Sequence, residues 1–202
     1  DMPKGDSEFT RRTADGEVRE NQGNLDPPSI EQSILLAAKD FGFDVASIID
    51  ITKTKNLEDE LNQFLKNNYH GEMEWLESKK EYRSDPQKLW VDAKSILILG
   101  SNYHFNENSL DLLSKKDAGI ISVYARGRDY HLSIKKKLKA FSRWILDNHQ
   151  CQIKYFIDTA PVMEKPLAMQ AGIGWQGKHT NIVSKEFGSW LFLSSIFLDI
   201  SL

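Results

Sequence analysis

Asp158 heads the stretch in which chemistry is densest: Asp158-Thr159-Ala160-Pro161, then Glu164, then Gly172-Ile173-Gly174-Trp175-Gln176-Gly177-Lys178-His179. The pattern predicts that Asp158 closes a strand over 152–157, and residues at such strand ends lie under the loops where ligands bind in α/β folds. Two readings are open. A carboxyl among Ile157, Val162 and Trp175 is desolvated, keeps its proton to higher pH and can act as an acid. Alternatively, Asp158 or Thr159 only caps a helix begun at Pro161 by accepting free backbone N–H groups.

The glycines of this stretch spell Gly-x-Gly-x-x-Gly at 172, 174 and 177. A dinucleotide fingerprint follows a strand and opens a helix, so that phosphate meets the helix N-terminus. Here the order is reversed, with a helix before and strands after. The glycines fit better as backbone passing close to a flat ligand or another segment, with Lys178 and His179 beside it.

Tyr124-Ala125-Arg126-Gly127-Arg128-Asp129-Tyr130-His131 joins an expected strand to a lysine-rich helix. From Tyr124 to Arg143 there are seven Lys/Arg against one acid, Asp129. Such an excess beside aromatic rings suits phosphates and a stacked base. A solvated helix face explains the lysines equally well, but not Arg126, Arg128, Tyr130 and His131 crowded at the helix start. A third group is His70-Gly71-Glu72-Met73-Glu74-Trp75-Leu76, then Tyr82-Arg83-Ser84-Asp85-Pro86, which lines a site or makes a turn anchored by Trp75 and Leu76. The five histidines never form His-x-x-x-His, so the pattern of a zinc hydrolase is absent and no metal ligands are assigned.

These residues need elements to hold them. Ser29 and Gln32 make a capping-box pattern before Ile30, Ile34, Ala37, Ala38 and Phe41 on one helical face, and Gly42 ends that helix. Strands are expected over 43–50, 95–100, 120–124, 152–157 and 189–198, with helices from Asn56, over 129–148 with Leu138, Phe141 and Ile145 on one side, and over 161–171. Alternating strands and helices predict an α/β or α+β sandwich in one domain.

Composition bounds the rest. The 202 residues carry a net charge of −3, with 40% hydrophobic and 27% charged residues, a globular balance. Residues 1–28 hold five apolar side chains beside eleven charges and account for the whole net charge, so they read as a disordered tail. No run suits a membrane span or a signal peptide, and the single Cys151 fits a reducing compartment, which predicts a cytoplasmic protein. One cysteine also cannot ligate an iron–sulfur cluster.

In their order, the blocks His70-Gly71-x-Met73-x-Trp75-Leu76, Arg83-x-Asp85-Pro86, Tyr124-Ala125-Arg126-Gly127-x-Asp129-Tyr130-His131, Asp158-Thr159-Ala160-Pro161, Gly172-x-Gly174-Trp175-x-Gly177-Lys178 and Gly188-Ser189-Trp190 resemble the epoxyqueuosine reductase family. Its members are cobalamin-dependent iron–sulfur enzymes of tRNA modification, and the likeness runs from about Ile30 to the last residue. It implies a single cobalamin-binding, nitroreductase-like sandwich over 29–202, a central mixed sheet flanked by helices. It further implies reduction of epoxyqueuosine to queuosine at the tRNA wobble position, with Asp158 as proton donor. Arg83, Ala125, Asp158, Met163, Lys178 and Ile182 fall at cobalamin-contacting positions, and the glycines pack against the corrin. Arg126, Arg128, Tyr130 and His131 face the cofactor edge, the modified base or tRNA phosphates.

Departures are mild at Lys165, where Arg is usual, and at His179, where Asn is frequent. A larger one is the family's ferredoxin-like segment with two four-iron four-sulfur clusters, which these residues do not contain. The sequence therefore reads as a piece cut before that segment, a split-gene product or a remnant. The resemblance implies an electron donor or separate iron–sulfur protein as partner, with tRNA, and a monomer without membrane contact. The alternatives are a non-catalytic corrinoid- or tRNA-binding remnant and another corrinoid reductase such as a dehalogenase, which the Tyr124–His131 block disfavours.

Overall fold

The computed structural model describes residues 27–104, 108–127, 129–158 and 160–202. The tail expected over 1–28 lies, up to residue 26, outside the described residues. Helix α1 (Ile30–Asp40) opens on a complete capping box: Ser29 Oγ accepts the Gln32 N–H, and Gln32 Oε1 accepts the Ser29 N–H. It ends beside Gly42, whose φ of +81° turns the chain into β1 (Val45–Asp50). Helix α2 (Leu57–Lys66) starts at Asn56 as the spacing predicts, but Asn56 makes no side-chain cap bond there. Three short helices follow, α3 (Trp75–Ser78), α4 (Lys80–Ser84) and α5 (Pro86–Leu89), then β2 (Ser95–Asn102). The second half comprises α6 (Tyr130–Asn148), β3 (Ile153–Phe156), α7 (Glu164–Gln170), the short strands β4 (Trp175–Gln176) and β5 (Ile182–Val183), and β6 (Leu191–Leu198).

The main sheet runs β1-β2-β6-β3. Helices cover both its faces, which is why Ser95 to Ser101 of β2 are all buried. Leu97, Leu99, Ile196 and Leu198 pack with Ile34, Ala38, Leu138 and Phe141 of α1 and α6. Ile96, Ile98 and Phe197, one residue out of phase, pack with Leu57, Leu167 and Ala168 of α2 and α7. Each such fully buried side chain contributes roughly 1.5–3 kcal/mol relative to exposure. The α6 stripe extends the expected one by a turn, to Ile134, Leu138, Phe141 and Ile145.

The expected α/β sandwich is present, with two differences. The sheet is antiparallel at each pairing rather than mixed. Strands β2 and β3 run the same way through the α6 crossover, but they leave a gap between them, and β6 fills it running opposite. The strand expected over 120–124 is not formed: Val123–Ala125 is a 3₁₀ turn, and Ile120 and Ile121 are exposed. That apolar run has β-propensity but no strand to pair with, and propensity yields to tertiary context. Among the described residues, no helix is long and apolar enough to cross a membrane.

Candidate active site

Asp158 stands two residues beyond β3, in a left-handed backbone conformation with φ +43°. It does not cap α7. That helix starts at Glu164, with Met163 at the cap position and no side-chain cap bond, so the helix expected over 161–171 is shorter at its start. The Val162 N–H instead closes a tight turn on Ala160 O at 2.8 Å, and Pro166 is accommodated in the first helical turn, where a missing N–H costs nothing.

Helix α6 brings its N-terminus to the same place. Asp129 caps it, accepting the His131 backbone N–H at 2.9 Å, and the same oxygen lies 2.9 Å from His131 Nδ1. The other ring nitrogen, Nε2, lies 2.9 Å from Asp158 Oδ2. Tyr130 Oη donates to that oxygen at 3.2 Å. The Tyr130 ring is clamped between His131, at 4.0 Å, and Phe192 of β6, at 3.9 Å and 6°. A carboxylate, an imidazole and a phenol thus converge on one oxygen.

Their electrostatics divide the roles. The hydrogen bond to Asp158, then that to Asp129, raises the His131 pKa, since imidazolium donates to both carboxylates. Burial, with the Asp158 charge beside it, pushes the Tyr130 hydroxyl up to about 12, so it remains a donor. Asp158 keeps 58% of its side chain in solvent, unlike the desolvated carboxyl expected from its apolar neighbours. Trp175 is itself half exposed and lines neither cleft described below.

Two open clefts share Asp158, Glu164 and Lys165. One, of about 400 Å³, is walled by Phe64, Trp75, Val162 and Met163, with Arg83 in its lining. The other, of about 290 Å³, has Tyr124, Tyr130, Ile182 and Phe192. Arg83 is buried, its guanidinium 4.9 Å over the Trp75 ring and its Nε without a hydrogen-bond partner among the described residues. Burial lowers its pKa.

Of the residues singled out by sequence, Asp158, Arg83, Met163, Ile182 and Tyr130 gather at these clefts, and His131 reaches them through Asp158. Arg126 lies in an adjoining hollow with Tyr130, its Nε donating to Ile121 O at 2.8 Å. Ala125 is exposed beside Tyr124, and Lys178 is exposed in the β4–β5 loop, away from both clefts. Arg128 and Thr159 lie outside the described residues. Cys151 is half-buried, its thiol pushed up by burial, which leaves it unreactive.

Of the three glycines, Gly174 is the one that passes close to another stretch of backbone. A Cβ on Gly174 would lie 2.2 Å from Val183 O, so glycine there permits the β4–β5 hairpin, in which Trp175 pairs with Val183. This close approach to another segment is one reason for glycine at 174. Gly174→Ala is expected to destabilise the fold by about 1–3 kcal/mol, read as a lower denaturation midpoint, because backbone must move to admit the methyl.

Glu164 was named in the dense stretch but given no role of its own. It is the first residue of α7, its Oε1 is sealed from solvent without a partner among the described residues, and burial pushes its carboxyl up to about 8. The available signal was a lone carboxylate set among Val162, Met163, Pro166 and Leu167.

The fold and site define an α+β domain in which an aspartate, a histidine and a tyrosine meet at the junction of two open clefts. The family model described as "Epoxyqueuosine reductase QueG, DUF1730" matches residues 83–159. The epoxyqueuosine reductase of Cyclobacterium marinum is 36% identical over 172 residues, covering 85% of this chain and 54% of that protein. That of Escherichia coli K12 is 34% identical over 181 residues, 88% of this chain and 47% of that protein. In three dimensions the chain is similar to an epoxyqueuosine reductase crystallised with an epoxyqueuosine-modified tRNA-Tyr stem loop, with a TM-score of 0.71, 24% identity, and coverage of 85% of this chain and 45% of that one. The enzyme from Streptococcus thermophilus superposes with a TM-score of 0.67 at 22% identity, covering 84% of this chain and 46% of that one. By sequence the chain is similar to epoxyqueuosine reductases, and it spans about half the length of the curated relatives it matches.

Proposed function

We propose that this chain is the proton-donating, cobalamin-holding part of an epoxyqueuosine reductase, acting on epoxyqueuosine at the tRNA wobble position to give queuosine. The observation that carries the reading is the convergence of Tyr130 and His131 on one oxygen of Asp158 where two clefts meet. Turning an epoxide into an alkene and water consumes two electrons and two protons, and the departing oxygen is a poor leaving group until protonated. Asp158 delivers that proton by taking it from His131, whose second carboxylate partner, Asp129, holds the ring in line. Tyr130 keeps its own proton and orients the Asp158 oxygen.

Cobalamin, when bound, supplies the reducing electrons. The residues fit such a group: an apolar-walled cleft with an unpartnered guanidinium nitrogen suits a large flat macrocycle fringed with amides and a phosphate. Arg83, Met163 and Ile182 would hold it, while Ala125 and Lys178, also expected as contacts, line neither cleft. One cysteine in these 202 residues leaves the cluster ligands to another segment or protein, which we assign as electron donor. Arg126, Arg128 and the lysines of α6 would meet tRNA phosphates. The reading places the protein in the cytoplasm, as a monomer.

Titration of the purified chain with cobalamin under reducing conditions is expected to give the spectral change of a base-off corrinoid, weakened in Arg83→Met. An unchanged spectrum at saturating cofactor would sink the assignment.

A further inference from the structure

Tyr130 and His131 are the first two residues of α6, and side chains one position apart on a helix diverge by about 100°. Their rings nevertheless lie 4.0 Å apart at 27°, and both reach the same oxygen of Asp158. The helix by itself does not dictate that arrangement. We propose that Phe192 is the positioning residue for this pair: its ring, held in the sheet, fixes the plane of Tyr130 and, through it, the imidazole of His131, so that hydroxyl and imidazole meet at Asp158 Oδ2. The proposal rests on the reading above for the role of Asp158 in catalysis, but its geometry involves neither cofactor nor substrate.

Phe192 is itself fixed. It pairs with Ser101 in the antiparallel β2–β6 ladder, and the Tyr103 ring lies on its other face at 4.2 Å and 27°. Tyr103 is tied in turn, its backbone N–H donating to Trp190 O at 2.9 Å and its hydroxyl to Ser189 O at 3.2 Å. The rings of Tyr103, Phe192, Tyr130 and His131 therefore form one column, rooted in the sheet at one end and hydrogen-bonded to Asp129 and Asp158 at the other. Ring pairs left to themselves prefer an offset or edge-on arrangement at wider separation, so the contact of Phe192 with Tyr130, 3.9 Å and 6° from parallel, is one held from both sides. Phe192 is also no enclosed filler of the core: it is half-buried and lines the same cleft as Tyr130 and Asp158.

An aliphatic side chain at 192 leaves the Tyr130 ring free to turn about its own side-chain bonds, and the imidazole stacked on it loses its support. His131 then keeps its contact with Asp129, two positions away, and loses the one with Asp158, 27 positions away. The Asp158 hydrogen bond is the foremost cause that raises the His131 pKa, with the Asp129 bond second, so the imidazole reports whether the pair is aligned. The titratable groups that face this ring are Asp129 and Tyr130 from α6 and Asp158 from the segment after β3, while Lys135 and Tyr155 line the hollow on its outer side.

Two NMR observables of the 202-residue chain test this without turnover: the ring-proton shifts of Tyr130 and the His131 ring pKa. In the unmodified chain the Tyr130 ring protons are expected upfield of their free-tyrosine positions, because the Phe192 ring shields them. In Phe192→Leu they are expected to return toward those positions, and the His131 pKa to fall part of the way to that of an ordinary histidine. Phe192→Tyr keeps a ring in the column, and the raised His131 pKa is expected to stay. A His131 pKa equal in Phe192→Leu and the unmodified chain overturns the proposal, as do Tyr130 ring protons at free-tyrosine positions in the unmodified chain. Should Phe192→Leu fail to fold, Tyr103→Leu removes the ring behind Phe192; a fall in the His131 pKa is expected there too, and its absence overturns the proposal. A chain that binds no cobalamin but shows the fall in Phe192→Leu would refute the functional reading and keep the positioning role, and a chain that binds cobalamin with an unmoved His131 pKa would do the reverse.

Discussion

Asp158→Asn is expected to lower epoxyqueuosine reduction by about 10²- to 10⁴-fold, the span that removal of a positioned general acid covers. Asparagine preserves the size of the side chain and can still accept from Tyr130 Oη, so the clefts and their lining persist. It cannot take a proton from His131 and pass it to a departing oxygen. The assay is queuosine formed in a tRNA stem loop carrying epoxyqueuosine, with cobalamin-loaded protein and a low-potential reductant. Two controls separate loss of the acid from loss of the fold. Cobalamin binding should be retained, and the His131 pKa should drop, because the hydrogen bond to Asp158 is the foremost cause of its elevation. Turnover within a factor of a few of the unmodified protein would remove Asp158 from the role of acid. A loss of turnover accompanied by loss of cofactor binding would make Asp158 a structural residue of the cleft instead.

The elements that hold this site were legible where local pattern decides. The capping box at Ser29, the stripe on α6 and the buried run of β2 depend on residues within a few positions of one another, and each appears within a residue or two of where spacing puts it. Pairing was not legible. Nothing near Leu191 or Ile153 tells that β6 enters between β2 and β3, since that choice follows from how α6 crosses the sheet. The run from Ile120 failed as a strand for the same reason: propensity was present and a neighbour was not.

At the site the division is similar. Tyr130, His131 and Asp158 were recognisable by type, yet the contact that makes them a unit joins positions 27 and 28 apart in the chain. The expected enclosure of Asp158 and the unnoticed enclosure of Glu164 are the two sides of one difficulty. Both are carboxylates flanked by apolar residues in sequence, and only the path of the backbone between β3 and α7 decides which faces water. The Gly-x-Gly-x-x-Gly spacing follows α7 and leads into β4 and β5, the element order expected, whereas the approach of Gly174 to Val183 is again a non-local contact.

Glu164 gives the second large effect, and its sign follows from linkage. Its carboxyl rises from an ordinary 4.5 to about 8 on folding, so folding takes up a proton between those values. The contribution of this group to stability is full below pH 4.5, declines as the pH rises, and is gone above about 8, where a charge must be forced into the enclosed site. The whole rise corresponds to about 5 kcal/mol at roughly 1.4 kcal/mol for each pH unit. Because Glu164 retains some contact with solvent, an effect on the order of 3 kcal/mol is expected. Glu164→Gln has no proton to take up and keeps the size of the side chain. Denaturant unfolding of the two proteins at pH 5 and pH 8.5 should therefore show the variant gaining on the unmodified chain by that amount at the higher pH. Groups common to both, His131 and Tyr130 among them, cancel in the difference. Parallel pH profiles would mean that Glu164 ionises in the folded state as it does in the unfolded one, and that water reaches its carboxyl.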